Sequence, residues 1–150
     1  MNTKRILLAE DNPNDIELTL EALSEQNLGN RVDVVNDGVQ VLEYLRCQSA
    51  YAEREPIDPL LILLDLKMPR MDGLQVLREL KSDSRLKTIP VVILTSSREE
   101  SDLVDSYDLG VNGYVVKPVQ FDQFMEAIRH IGLYWVLTNE PPAGVPAQTE

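Results

Sequence analysis

Leu60-Leu61-Ile62-Leu63-Leu64-Asp65-Leu66-Lys67-Met68-Pro69-Arg70-Met71-Asp72-Gly73 holds the most apolar run of the chain and stops it abruptly on a carboxylate. Five aliphatic residues in succession leave no wet face, so Leu60 to Leu64 reads as the central strand of a parallel sheet, buried on both sides. Asp65 then sits at its carboxyl end. Met68-Pro69 and Asp72-Gly73 are turn chemistry, and Leu74, Leu77 and Leu80 mark the apolar stripe of a helix.

Working outward, the same alternation repeats. Upstream, Ile6-Leu7-Leu8-Ala9 is a short buried strand ending at Glu10-Asp11. Asn12 followed by Pro13 reads as a helix cap with proline in the first helical position, and Ile16, Leu20 and Leu23 share one helical face. Gly29 is the expected stop of that helix. Val32 to Val35 forms a second strand and passes through Asn36-Asp37-Gly38 into a second helix carrying Val39, Val41, Leu42 and Leu45. The polar stretch 47–59 fits neither a strand nor a strongly amphipathic helix and reads as a surface insertion. Downstream, Pro90 opens a fourth strand, Val91 to Leu94, which ends at Thr95-Ser96. Ser97 with Glu100 resembles a capping box for a fourth helix, and Gly110 is its expected stop. Gly113 to Val116 is a fifth strand ending at Lys117-Pro118, and Phe121 begins a fifth helix.

Five strand-helix units with crossovers of helical length imply an α/β fold: a doubly wound, five-stranded parallel sheet with helices on both faces. One domain over residues 1–138 accounts for all of it. Residues 139–150 contain three prolines and little to bury, and are expected to be a disordered tail.

The chain has 150 residues, 14 basic and 25 acidic side chains and a formal charge of -11. That charge opposes contact with nucleic acid or an anionic membrane surface. The sequence shows neither a signal-peptide pattern nor an apolar run near the ~20 residues of a membrane span, so a soluble cytoplasmic protein is expected. The single cysteine, Cys47, and single histidine, His130, leave no Cys/His cluster for zinc and no Cys-His catalytic pair.

In an open α/β sheet, function gathers at the carboxyl ends of the strands. Here those ends carry Glu10 and Asp11, Asp65, Thr95 and Lys117. Taken singly, each has an ordinary explanation: an aspartate caps a turn, a threonine caps a helix, a lysine is solvated. Asp37, Asp72, Asp83 and the pair Glu99-Glu100 are read in that way. Taken together, three carboxylates within a few ångströms need a positive occupant, and magnesium (or manganese) suits an all-oxygen donor set that shares its shell with a phosphoryl oxygen. A lysine supplies a point charge for an anion and a threonine hydroxyl a hydrogen bond. These are the parts of a phosphoryl-transfer site with a carboxylate nucleophile.

Leu-Leu-Ala-Glu-Asp-Asn at 7–12, Leu-Leu-Asp-Leu-Lys-Met-Pro-Arg-Met-Asp-Gly at 63–73, Thr95-Ser96 and Lys117-Pro118 together resemble the response-regulator receiver domains, over about the first 130 residues. The resemblance implies a flavodoxin-like strand order 2-1-3-4-5. It implies that Asp65 takes a phosphoryl group from the phosphohistidine of a sensor kinase. Asp11, Asp65 and the backbone carbonyl of Lys67 would hold Mg2+ or Mn2+, with Glu10 acting through a metal-bound water. Lys117 would bind a phosphoryl oxygen, with its bond to Pro118 cis. Thr95 and the aromatic Tyr114 would move together as the switch. Glu10-Asp11 replaces the Asp-Asp pair of many members. On this reading the chain is no turnover enzyme; it promotes only its own phosphorylation and dephosphorylation.

Ile131-Gly-Leu-Tyr-Trp-Val-Leu137 and the insertion at 47–59 are similar to those of small response regulators paired with phytochrome kinases. The segment is apolar nearly all round, so some of Leu133, Tyr134, Trp135 and Leu137 should face a partner, by homodimerisation through the fifth helix or, alternatively, as an intramolecular lid. The length leaves no room for a DNA-binding output domain, so the signal is expected to leave by protein contact or phosphorelay. Two enzyme or cofactor folds fit poorly: a haloacid-dehalogenase phosphatase needs an aspartate where Lys67 stands, and Glu10-Asp11 would repel a flavin phosphate. A receiver-shaped docking module that works without phosphate stays open as the alternative.

Overall fold

The computed structural model describes residues 5–25, 28 and 31–138. Strands β1 (Ile6–Ala9), β2 (Val32–Val35), β3 (Leu61–Asp65), β4 (Val91–Thr95) and β5 (Gly113–Val116) alternate with helices α1 (Pro13–Ser24), α2 (Gly38–Leu45), α3 (Gly73–Ser82), α4 (Arg98–Ser106) and α5 (Phe121–His130), and a short α6 (Tyr134–Thr138) follows. All strands are parallel, in the order β2-β1-β3-β4-β5. Strand side chains alternate between the two faces. Leu7, Ala9, Ile62, Leu64, Val91 and Ile93 therefore pack with the buried stripes of α2 and α3. Ile6, Leu8, Leu61, Leu63, Val92 and Leu94 pack with Leu23 of α1 and Phe124, Met125 and Ile128 of α5. Because β1 pairs with both β2 and β3, the direction of winding reverses between β1 and β3, which opens a crevice at their carboxyl ends.

The helix starts follow their caps. Asn12 accepts from the N–H groups of Asn14 (2.9 Å) and Asp15 (3.1 Å), with Pro13 first in α1. Asp37 accepts from Gln40 N (2.9 Å), and Asp72 forms a reciprocal capping box with Gln75. The stops differ from expectation. Helix α1 ends at Ser24, and Gly29 lies outside the described residues. Helix α4 ends at Ser106, four residues before Gly110, whose φ of 74° serves the following turn instead. The capping box expected at α4 is half present: Ser97 accepts from Glu100 N, while the Glu100 carboxylate turns to Ser96 N at 2.7 Å.

The segment 47–59 is tied down through Arg54. Its guanidinium donates to the carbonyls of Tyr44 (2.9 Å) and Ile57 (3.0 Å) and lies 4.0 Å from the centre of the Tyr44 ring. Tyr51 packs edge-on against Tyr44 with ring centres 5.4 Å apart.

At the other end, Gly132 adopts φ 84°, a conformation that lets the chain turn after α5 and fold back. Leu137 is consequently 2% exposed and part of the chain's own core, with Leu133 and Tyr134 packed partly buried against the same cluster. The expectation that Leu137 faces a partner is thus corrected. Burying its side chain against the core that includes Ile128 and Leu23 removes it from water without a second molecule. Val136, 41% exposed, points away. The side chain of Trp135 and the expected tail 139–150 lie outside the described residues.

Candidate phosphoryl-transfer site

The crevice between β1 and β3 gathers the residues that the strand ends carry. Glu10 follows β1 and is fully buried, its N–H held by Val35 O (3.0 Å) and its carboxylate receiving Asn12 N (3.2 Å). Asp65 ends β3 and is 4% exposed. Asp11 is exposed at the rim, and oxygen atoms of Glu10, Asp11 and Asp65 lie within 4.8 Å of one another. Opposite Asp65 in the ladder is Leu94, so Thr95 stands one step further along β4. Lys117 follows β5 across a cis bond to Pro118, and its N–H is fixed on Thr95 O at 2.7 Å. Its ammonium reaches Asp65 Oδ1 (3.0 Å), Asp15 Oδ2 (3.2 Å) and Glu10 Oε1 (3.3 Å).

Backbone packing fixes the loop after β3. Gly73 N donates to Leu66 O (2.9 Å), and a Cβ on Gly73 would lie 2.4 Å from the Asp65 carbonyl oxygen, so only glycine lets α3 start this close. A Cβ on Gly38 would come 2.0 Å from Met71 O, which brings the β2–α2 loop against the same turn. Arg70 spans that seam, donating twice to Asp37 Oδ2 at 2.9 and 3.0 Å.

The electrostatics are unbalanced. Burial, and then the charge of Asp65, pushes the Glu10 carboxyl up to about 7. Burial also raises Asp65, against the hydrogen bond and charge of Lys117. Burial works against the charge of Lys117, yet the hydrogen bond and charge of Asp65, with Glu10 and Asp15, hold it above the ordinary lysine value. Among the described residues a single ammonium faces Glu10, Asp15 and Asp65, with Asp11 at the rim. An excess of buried carboxylate oxygen within one ion's reach is the donor set of a hard divalent cation, so the residues present fit Mg2+ or Mn2+. The hydroxyl of Thr95, 0% exposed, meets no hydrogen-bond partner among the described residues, an arrangement that favours an incoming oxygen.

Of the residues expected from sequence, Glu10, Asp11, Asp65 and Lys117 come together directly. Tyr114, on β5, is partly buried against the α2–α3 side of the core and donates its hydroxyl to Asp105 of α4. Burial and then Asp105 raise its phenol above the ordinary value. Lys67 is exposed, and its ammonium lies 3.3 Å from Glu100, which was read as a cap or solvated residue. That pair bridges the β3–α3 loop to the start of α4. Asp15 was not singled out by sequence. An acidic residue in a first helical turn is ordinarily explained by the helix dipole, which hides any other use.

The model of the response regulator receiver domain family matches residues 6–129. Response regulator Rcp1 of Synechocystis sp. is 39% identical over 140 residues, covering 93% of this chain and 94% of that protein. Among solved structures, the bacteriophytochrome response regulator RtBRR is 54% identical with a TM-score of 0.86, over 95% of this chain and 86% of that one. The phosphorylated cyanobacterial phytochrome response regulator RcpA is 41% identical with a TM-score of 0.68, over 92% and 91%. The Mn2+-bound form of Rcp1 is 37% identical with a TM-score of 0.70, over 93% and 99%.

Proposed function

The chain belongs to the response regulator receiver domain family, and from that premise we propose that Asp65 accepts a phosphoryl group from the phosphohistidine of a phytochrome-type sensor kinase. A carboxylate oxygen of Asp65 attacks phosphorus, the bond from phosphorus to the donor imidazole nitrogen breaks, and the imidazole leaves with the electron pair. The product is an acyl phosphate on Asp65. One observation carries this reading: the buried Asp65 carboxylate lies 3.0 Å from the Lys117 ammonium, with Glu10 and Asp11 beside it.

Asp11, Asp65 and the Lys67 carbonyl would hold Mg2+ or Mn2+, with Glu10 acting through a water. When bound, the cation offsets the charge of the carboxylates and of the phosphoryl oxygens. Lys117 moves a donor onto a phosphoryl oxygen, and the Thr95 hydroxyl, without a hydrogen-bond partner among the described residues, gains one. Tyr114 follows Thr95, giving up Asp105, which joins the state of Asp65 to the position of α4.

Phosphorylated RcpA and Mn2+-bound Rcp1 support both parts of the proposal by similarity. The signal leaves by protein contact or phosphorelay, from a cytoplasmic protein. Among the described residues, no helix is long and apolar enough to cross a membrane. Homodimerisation through α5 would use the uncovered side of edge strand β5, where Val116 is 47% exposed.

The test is intact-mass analysis of the full chain with acetyl phosphate and Mg2+. One phosphoryl group on wild type, absent from Asp65→Asn and abolished by chelator, is expected. No adduct with any small donor, or with a reconstituted phytochrome kinase, would overturn the reading in favour of a docking module that works without phosphate.

A further inference from the structure

An ammonium group has three N–H donors, and those of Lys117 meet three carboxylates: Asp65 Oδ1 at 3.0 Å, Asp15 Oδ2 at 3.2 Å and Glu10 Oε1 at 3.3 Å. Two of these partners belong to the acidic cluster at the strand ends. The third does not. Asp15 comes from the first turn of α1, outside the set of Glu10, Asp11 and Asp65 that can share one ion. Its side chain is not needed to cap the helix, since the Asn12 side chain already receives the N–H groups of Asn14 and Asp15. The pair is also sheltered, with side-chain exposures of 16% for Lys117 and 27% for Asp15, so it is less screened than a surface ion pair.

From this geometry we infer that Asp15 is a positioning residue that fixes the Lys117 ammonium beside Asp65 before the phosphoryl group arrives. Lysine carries its charge on a flexible four-carbon stem, and an unanchored ammonium must be ordered at the moment of reaction. Asp15 holds it from the α1 side while the donor on Asp65 is left to swing onto a phosphoryl oxygen. The inference rests on the reading of Asp65 as phosphoacceptor. Asp15 also has an effect of opposite sign, since its negative charge repels an anionic donor. Glu10, Asp11 and Asp65 already give the crevice that repulsion, whereas of the three carboxylates that the Lys117 ammonium meets, Asp15 alone lies outside the acidic cluster. Positioning is therefore the larger effect, and the two are separated by the direction of the change.

The experiment uses the full chain as wild type, Asp15→Asn and Asp15→Glu, each with Lys117 intact and with Lys117→Gln. Initial rates of Asp65 phosphorylation by acetyl phosphate are followed by intact mass at saturating Mg2+. Asp15→Asn should slow phosphorylation roughly three- to tenfold through loss of orientation. Asp15→Glu should recover most of the rate, and Asp15→Asn should change nothing further once Lys117 is Gln. A rate that is unchanged or faster, or an equal loss without Lys117, would overturn the inference. Separately, NMR of the Lys117 side chain without any phosphodonor should show a slowly exchanging ammonium in a fixed rotamer, averaged in Asp15→Asn. A Lys117 that is equally ordered in both proteins overturns the inference too. If wild type takes no phosphoryl group, the function reading fails, while the spectrum still decides whether Asp15 holds Lys117.

Discussion

Two regions of this molecule bury polar side chains, and they do it in opposite ways. Around the 47–59 segment the charges are mostly matched: Arg54 lies on two carbonyls and the Tyr44 ring, with its Nη2 alone lacking a hydrogen-bond partner among the described residues, the Tyr44 hydroxyl donates to Asp33, and the exposed Arg85 reaches Asp58 and Leu45 O. At the strand ends the charges are mismatched: the Glu10, Asp15 and Asp65 carboxylates share the Lys117 ammonium, and the buried Thr95 hydroxyl has no hydrogen-bond partner among the described residues. Matched groups hold one arrangement, because any movement would strand a donor or acceptor. Mismatched groups are stable only provisionally, and gain when a cation or an anion of the right shape arrives. The first region is built to stay and the second to respond.

Three substitutions test this contrast. The largest effect is expected where the β2–α2 loop meets the turn after β3. Gly38→Ala would drive a Cβ to 2.0 Å from Met71 O and should destabilise the fold by about 2 to 3 kcal/mol, as overpacking does. Because that turn follows Lys67, Mn2+ binding measured by electron paramagnetic resonance should weaken as well. Retained Mn2+ affinity in a destabilised protein would show that the loops are mechanically separate.

Arg54→Ala should lower stability by about 1 to 2 kcal/mol through lost hydrogen bonds and ring contact, read as a shift in the urea midpoint. Phosphorylation by acetyl phosphate should keep its wild-type rate. A parallel loss of both would contradict the separation of a static region from a responsive one.

The smallest effect concerns pH. In chelator, the Glu10 carboxyl is held up to about 7 in the folded protein against an ordinary value of 4.5. The folded state therefore keeps a proton that the unfolded chain has lost. Stability from this group is complete at low pH and drains away as pH rises from 4.5 through about 7. The urea midpoint of metal-free wild type should fall over that window, and Glu10→Gln should flatten the fall without abolishing it, since burial raises Asp65 also. An identical slope in the variant would assign the proton elsewhere.

Much of this was legible locally. Aliphatic runs of four or five residues marked β1, β3 and β4, because a strand buried on both faces has no alternation to read. Asn12-Pro13 announced the start of α1, because a cap is satisfied within a few residues of itself. The stops were less legible: Gly110 does not end α4, since a helix can end on Tyr107 and leave the glycine to the next turn. The polar strand ends were also visible, and their assembly followed once the sheet was taken as parallel.

What the sequence by itself determined is the five strands, the helices α1 to α5 and the chemistry at the strand ends: Glu10, Asp11, Asp65, Thr95 and Lys117 stand where local runs of apolar residues stop. What only the tertiary structure decided is partnership. Asp15 meets a lysine 102 residues away, Glu100 accepts from Ser96 N with one oxygen and pairs with Lys67 through the other, and Leu137 turns inward rather than outward. Caps and periodicity are satisfied within a turn or two of chain and so are written in neighbouring residues. A long-range ion pair depends on the strand order and on how each helix lies across the sheet, which no short stretch of sequence contains.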